Sequence, residues 1–181
     1  MFVLSQYMHG GIGSDQKMKV LVFSDSHGNT TNMITAIEQE APDMVLHLGD
    51  YWEDVQELRW IYPELAITQV PGNCDEYSCD PFLPRVMSPV IGGVRFFLTH
   101  GHQHHVKSTP YSLLEDARRN KAQVVLYGHT HIQDLHWEED GLLVMNPGAA
   151  GIAGEAGLLE IENGIVTVSR LLCGHDLEET Q

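Results

Sequence analysis

Five short polar motifs, each placed after an apolar run, constrain this chain more than any other feature of its sequence. In chain order they are Asp25-Ser26-His27, Gly49-Asp50, Gly72-Asn73-Cys74-Asp75, Thr99-His100-Gly101-His102 and Gly128-His129-Thr130-His131. The apolar runs are typical of buried strands, so the motifs are predicted to lie on loops at strand ends. Open α/β sheets bind their ligands there. Carboxylate, amide and imidazole groups together suit divalent Mn, Fe, Zn or Co better than Ca or Mg.

The first half of the chain is predicted to alternate strands and helices. Apolar runs at residues 19–23, 44–48 and 65–70 are the predicted strands. Asn29 or Thr30 is placed to cap a helix that ends at Glu40, and apolar residues at helical spacing predict a second helix over residues 53–61. Strands that alternate with helices at such short intervals are typical of parallel βαβ units.

The second half of the chain is predicted to be mostly antiparallel. Its predicted hairpins turn at Gly92-Gly93, Asp140-Gly141 and Asn163-Gly164. Their strands cover residues 86–91 and 94–98, 135–137 and 142–145, and 158–161 and 166–171. A further buried strand is predicted at residues 124–127. Residues 112–120 are a predicted helix, with Ser112 as the N-cap and Glu115 completing a capping box.

These elements fit one domain, which we place at residues 18–175 of the 181-residue chain. The expected fold class is α/β, a four-layer αββα sandwich in which two mixed sheets pack face to face and helices cover both. Residues 1–17 are linker-like, and we expect a disordered tag remnant or upstream extension. Residues 176–181 are expected to be a frayed tail.

The charge of the chain restricts its partners. It has 10 Lys and Arg against 25 Asp and Glu, a formal net charge of −15. Such a surface repels polyanions, which argues against long nucleic acid but not against a small anionic substrate. No apolar run approaches the ~20 residues that span a membrane. Three cysteines without a CxxC pair are typical of a reducing compartment, so a cytoplasmic location is expected.

Each motif alone is a weak signal, because a cap or a turn explains it equally well. As an ordered set, the motifs resemble the calcineurin-like metallophosphoesterase superfamily, and in particular its small prokaryotic YfcE-like phosphodiesterases. The resemblance covers residues 18–172 and extends to Asn146-Pro147-Gly148 after the last motif. It implies a metallo-dependent phosphatase-like fold and the hydrolysis of a phosphate ester.

The resemblance also implies roles for individual residues. Asp25, His27 and His131 would hold a first metal ion, and Asp50 would bridge it to a second. Asn73, His100 and His129 would complete the second site. The implied catalytic residues are Asp50, Asn73 and His102, and the implied substrate contacts are Asn73, Cys74 and His102. The cofactor would be two divalent ions, with Mn expected first and Fe, Zn, Ni or Co as alternatives, and a hydroxide between them would attack the phosphate.

Three departures from the superfamily pattern narrow the range of expected substrates. Cys74 stands where many members carry a histidine that protonates the leaving group, and a thiol is a poor acid for that task. The residues after Asp50 lack the arginine that serine/threonine protein phosphatases carry there, which argues against a protein-phosphatase activity. Ala149-Ala150-Gly151 stands where relatives carry a serine and then an arginine, so the substrate pocket is expected to differ.

The preferred interpretation is therefore a phosphodiesterase that hydrolyses small diesters. A phosphomonoesterase or nucleotide pyrophosphatase using the same site, and a non-catalytic metal-binding scaffold, stay open as alternatives. Self-association into a dimer or tetramer is open as well. Outside the ligand set, His47 is expected to be a core histidine, His104 and His105 to lie on an exposed loop, and Tyr51 and Trp52 to line the pocket.

Overall fold

The structure is a computed structural model, and it describes residues 17–174. The expectations for residues 1–16 and 175–181 therefore lie outside the described part. Lys17 lies one residue before the predicted start of the domain at residue 18. It is the first residue of a strand and pairs with Glu162, while its amine lies 2.7 Å from a carboxylate oxygen of Glu160. The strand begins two residues earlier than its apolar run because a neighbouring strand continues the pairing.

Eleven strands and four α-helices make up the described residues. In chain order they are β1 (Lys17–Phe23), α1 (Thr31–Glu40), β2 (Met44–His47), α2 (Trp52–Ile61), β3 (Ala66–Gln69), β4 (Val86–Met87), β5 (Val90–Ile91), β6 (Val94–Thr99), α3 (Tyr111–Arg119), β7 (Val124–Leu126), β8 (Asp134–Trp137), β9 (Leu143–Asn146), α4 (Ala150–Ala153), β10 (Ala156–Glu162) and β11 (Ile165–Leu172). A short 3₁₀ helix, His102–His104, follows β6.

The strands form two mixed sheets. The first sheet has the order β11-β10-β1-β2-β3. Strands β1, β2 and β3 are parallel to one another, and β10 runs antiparallel to both of its neighbours, β1 and β11. The second has the order β4-β6-β7-β9-β8, with β5 paired to β6. The prediction of a mostly antiparallel second half is only partly right, because β7 runs parallel to both β6 and β9. The helix α3 supplies the crossover that a parallel neighbour of β6 requires.

Three apolar clusters define the layers. One lies between the sheets and combines Val20 and Leu46 of the first sheet with Phe96 and Leu126 of the second, all fully buried. A second cluster packs α1 and α2 on the outer face of the first sheet, and a third packs α3 on the outer face of the second. This arrangement confirms the predicted four-layer αββα sandwich.

Local signals have mixed outcomes. Asn163 and Gly164 both have positive φ, as a two-residue hairpin turn between β10 and β11 requires. The predicted capping box at α3 is wrong, because Pro110 is the N-cap and makes no side-chain cap bond. The hydroxyl of Ser112 instead donates to the backbone oxygen of His104 at 2.7 Å, so it binds a neighbouring loop.

The sheets bring all five motifs to one edge of the sandwich. Each motif follows the carboxyl end of a strand, namely β1, β2, β3, β6 and β7. These five strands are parallel within their sheets, so their ends converge. Among residues 17–174, no helix is long and apolar enough to cross a membrane.

Candidate metal centre

The backbone of the motif loops is unusual. Among the described residues, ten non-glycine residues have positive φ, and five of them are predicted metal ligands. These five are Asp25, His27, Asp50, His129 and His131. A left-handed conformation costs about 1–3 kcal/mol for such residues, and strain of this kind concentrates at functional sites. The loops are therefore shaped for the placement of their side chains rather than for local stability.

Asp25 is held rigidly and has one oxygen left over. Its Oδ2 accepts a hydrogen bond from Ser24 Oγ at 2.6 Å and another from the backbone N–H of His129 at 3.0 Å. Its Oδ1 is buried and accepts no hydrogen bond, although His131 Nε2 lies 3.0 Å away. A buried carboxylate oxygen without a donor is costly, so this atom is positioned for a ligand.

The first cluster of donor atoms surrounds that oxygen. His27 Nε2 lies 3.3 Å from His131 Nε2, 3.8 Å from Asp25 Oδ1 and 3.9 Å from Asp50 Oδ2. Two imidazole nitrogens and two carboxylate oxygens thus face a common point. Asp25, His27 and His131 form one of the groups whose ligand atoms all lie within 4.8 Å of one another.

The second cluster is centred on His100. Its Nδ1 lies 2.8 Å from the backbone oxygen of Leu48, which can only accept, so Nδ1 carries the proton. In the neutral ring Nε2 then presents a lone pair, and it lies 3.2 Å from Asn73 Oδ1 and 3.5 Å from Asp50 Oδ1. Acceptors at these distances repel one another unless a cation lies between them. A backbone carbonyl that fixes the tautomer in this way is typical of metal-ligating histidines.

Asp50 faces both clusters. Its Oδ2 is directed toward His27, and its Oδ1 toward His100. Burial, the largest influence, works to raise the pKa of Asp50, but His100, the backbone N–H of Cys74 and His27 together bring that pKa below its ordinary value. The carboxylate is therefore ionised at neutral pH.

His129 lies beside the second cluster, not the first. Its ring centre is 5.1 Å from that of His100. The two histidines of the last motif therefore face different clusters. Both residues have positive φ, and the turn between them directs His131 toward Asp25 instead.

His102 lies at the rim of the second cluster. Its ring centre is 5.4 Å from that of His100, and its Nδ1 is buried without a hydrogen bond. Burial, assisted by His100 and Arg85, lowers the pKa of His102 to about 4.

Cys74 lies between the clusters and a pocket of about 280 Å³ lined with His27, Tyr51 and Glu53. Its backbone N–H donates to Asp50 Oδ1 at 2.9 Å, and its sulfur lies 3.5 Å from Asn73 Nδ2. Burial, with a hydrogen bond to Asp50, raises the pKa of the Cys74 thiol to about 11. Tyr51 lines this pocket as expected, with its ring edge-on to His27, whereas Trp52 does not.

Asp75 has a role that the sequence pattern does not indicate. Its buried carboxylate accepts three backbone N–H groups, from Asp50 at 3.0 Å, Gly72 at 2.7 Å and Trp52 at 2.8 Å. It thereby joins the loop that carries Asp50 to the loop that carries Asn73. Asp54 acts similarly on the first motif, because its Oδ2 accepts the N–H of Gly28 at 2.8 Å.

Close packing of these loops explains two of the motif glycines. A side chain at Gly72 would collide with the carboxylate of Asp50, and one at Gly128 with Ser24 and Asp25. Only glycine lets the loops approach one another closely enough for the clusters to form.

The prediction for one histidine outside the clusters is confirmed, and the prediction for another is wrong. His47 is buried with both ring nitrogens hydrogen-bonded, to Ser26 Oγ and to the N–H of Gly49, which confirms it as a core histidine. The expectation of an exposed loop at His104 is wrong, because the 3₁₀ turn buries its ring 3.1 Å from Asp116 of α3. His105 is exposed, as expected.

The donor set fits divalent cations. It combines ionised carboxylates, an amide oxygen and imidazoles, the mixture that Mn, Fe, Zn and Co accept. Asp25, His27, Asp50 and His131 would hold one ion, and Asp50, Asn73, His100 and His129 a second. The buried, unbonded oxygen of Asp25 is the observation that such an ion would explain.

Comparison with known proteins agrees with this chemistry. Residues 18–164 match the family model of the calcineurin-like phosphoesterase superfamily domain. The chain is 32% identical over 173 residues to the probable metallophosphoesterase YsnB of Bacillus subtilis, covering 91% of this chain and 97% of that protein. It is 31% identical over 148 residues to the phosphodiesterase MJ0936 of Methanocaldococcus jannaschii, covering 72% and 83%.

The fold is shared with solved structures. A Streptococcus pneumoniae protein described as a predicted phosphoesterase superposes with a TM-score of 0.66 at 24% identity, covering 88% of this chain and 99% of that one. The matched residues include all five motif loops and the strands that carry them. This chain belongs to the calcineurin-like phosphoesterase superfamily.

Proposed function

We propose that this protein is a two-metal phosphodiesterase that hydrolyses small phosphodiesters. The observation that carries the proposal is the orientation of Asp50, whose two carboxylate oxygens face two separate groups of donor atoms. A carboxylate placed in this way is suited to bridge a pair of ions. The phosphodiesterase named among the relatives supports the same class of substrate.

The chain's own residues prepare the centre for a charged substrate. When bound, a pair of divalent ions activates water and neutralises the charge that develops on a phosphate during in-line displacement. Leu48 fixes the tautomer of His100, and Asp75 fixes the loops of Asp50 and Asn73. The donor atoms therefore need little rearrangement, which is the preorganisation on which electrostatic catalysis depends.

The side chain of Cys74 favours diesters with good leaving groups. Its thiol, with a pKa raised to about 11, is a poor donor of a proton to a departing alkoxide. A phenolate leaves without that help, whereas an alkoxide does not. We therefore propose aryl diesters as the best model substrates, and Mn as the ion that supports the reaction best.

A panel of matched esters tests the proposal. Bis(4-nitrophenyl) phosphate and 4-nitrophenyl phosphate share a leaving group and differ only in being a diester or a monoester. We expect the Mn-loaded protein to hydrolyse the diester faster and to lose the activity in excess chelator. Faster hydrolysis of the monoester would support the phosphomonoesterase alternative. No hydrolysis of either ester with any divalent ion would support a scaffold.

A further inference from the structure

An open groove lies next to the second cluster, outside the set of predicted ligands. It has a volume of about 500 Å³, within the range of small-molecule sites. Its lining includes Val106, Lys107, Tyr127, Thr130, Ile132 and Asp134.

Both walls of the groove are attached to histidine motifs. Val106 packs on Gly101, between His100 and His102, so that a side chain at Gly101 would collide with it. On the other wall, Thr130 stands between His129 and His131. The groove thus lies beside the loops that carry His100, His129 and His131.

The groove lining contains one carboxylate, Asp134, and one ammonium group, Lys107, and the two differ in their hydrogen bonding. Asp134 is engaged through both oxygens, since Oδ1 lies 2.9 Å from His136 Nδ1 and Oδ2 accepts the hydroxyl of Tyr127 at 3.0 Å. Lys107, in contrast, has no ion pair or hydrogen bond with any residue in the described range 17–174.

Half of the 10 basic residues are in ion pairs with described carboxylates. The paired residues are Lys17, Lys19, Arg118, Arg119 and Arg170. Lys107 is not among them, and it is the only basic residue in the lining of the groove. Its side chain is exposed and lines the groove. A free ammonium group at this place is available to an anion.

We propose that this groove binds one alcohol portion of the diester and that Lys107 selects substrates in which this portion carries a second anionic group, as in a nucleotide. The inference rests on the proposed phosphodiesterase activity. Ile132 is 69% exposed at the groove and, with the ring of Tyr127, offers an apolar surface to a base or sugar. Lys107 then contacts the distal phosphate, so recognition of the substrate and chemistry at its reactive phosphate are spatially separate.

A pair of chromogenic substrates isolates the second charge. Thymidine 3′-(4-nitrophenyl phosphate) and its 5′-phosphorylated derivative release the same 4-nitrophenolate and differ only in the distal phosphate. We expect a higher kcat/KM for the phosphorylated compound. The variant Lys107→Gln should lower that value about tenfold, as loss of a charged hydrogen bond implies, and leave the unphosphorylated compound within about twofold. Lys107→Arg should retain the preference.

Lys121→Gln is the matched control. It removes the same charge at the opposite end of the second sheet, beside the start of β7. We expect it to change neither kcat/KM value. Equal effects of Lys107→Gln and Lys121→Gln on the phosphorylated substrate would overturn the inference, because a general change in net charge would then explain the result.

Three further outcomes separate this inference from the proposed function. If the wild type cleaves bis(4-nitrophenyl) phosphate but treats both thymidine esters alike, Lys107 selects no anion and only this inference fails. The inference is also wrong if the wild type has a higher kcat/KM for 4-nitrophenyl phosphorylcholine, whose second group is cationic, than for the 5′-phosphorylated thymidine ester. If it cleaves no diester with any divalent ion, the proposed function itself fails.

Discussion

Replacing Asp75 by alanine should destabilise the protein strongly, although Asp75 is not a predicted ligand. The substitution removes the acceptor of three backbone N–H groups. The hydrogen bonds from Asp50 and Gly72 are buried, so water does not reach these two N–H groups. A buried donor left without a partner costs about 1–3 kcal/mol, so these two cost about 2–6 kcal/mol together. That is a large part of the about 5–15 kcal/mol by which a typical domain is stable.

The variant Asp75→Asn should lose less. Its amide oxygen can take the place of Oδ2 and accept the N–H groups of Asp50 and Gly72, while its NH₂ group would face the N–H of Trp52. One charged hydrogen bond is lost, at about 1–3 kcal/mol. The exposed Glu139, changed to glutamine, removes the same charge without a buried bond and serves as the control.

Urea unfolding in excess chelator measures these differences, because metal binding then contributes nothing to stability. The expected order of stability is wild type and Glu139→Gln, then Asp75→Asn, then Asp75→Ala. If Asp75→Ala unfolds with a free energy within about 0.5 kcal/mol of the wild type, water replaces the carboxylate and the reasoning is refuted.

Three further predictions concern pH, the leaving group and the metal. Burial lowers the pKa of His47 to about 4. The unfolded chain, with an ordinary histidine pKa, therefore binds the proton first as pH falls from about 6.5 to 4, and the protein should lose up to about 3 kcal/mol of stability there. His47→Gln should remove the part of this loss that His47 contributes and keep the part that His102 contributes, and a pH profile identical to that of the wild type in urea titrations would contradict the prediction. Cys74→His should raise hydrolysis rates for alkyl diesters more than for aryl diesters, whereas a uniform fall would mean that Cys74 only packs. After chelation, Mn should restore hydrolysis better than Mg, because imidazole ligands favour softer ions, and equal restoration would count against this donor set.

The position of the site could be predicted from the sequence because it depends on simple physics. Apolar runs form buried strands, and the ends of parallel strands meet at one edge. The ligand types are also visible as residues. The sequence does not show that the two carboxylate oxygens of Asp50 face two different clusters. That placement depends on a left-handed backbone at Asp50 and on a hydrogen bond from another loop.

Other features depend on contacts between segments distant in the chain. Asp75 resembles an ordinary turn residue until the loop of Asp50 is placed beside it. The polar stretch around His104 resembles an exposed loop, but α3 covers it and supplies both Ser112 and Asp116 as partners. The polar residues of this stretch are present because they form hydrogen bonds with α3, not because the stretch is exposed to solvent.

Metal content in an Asp50 variant tests the central claim most directly. Wild type, Asp50→Ala and His131→Ala would be dialysed against the same Mn concentration and assayed for bound Mn per chain and for hydrolysis of bis(4-nitrophenyl) phosphate. We expect two ions in the wild type, loss of both ions and of hydrolysis in Asp50→Ala, and loss chiefly of one ion in His131→Ala. Wild-type Mn content and hydrolysis in Asp50→Ala would contradict a bridging carboxylate, and with it the two-metal centre.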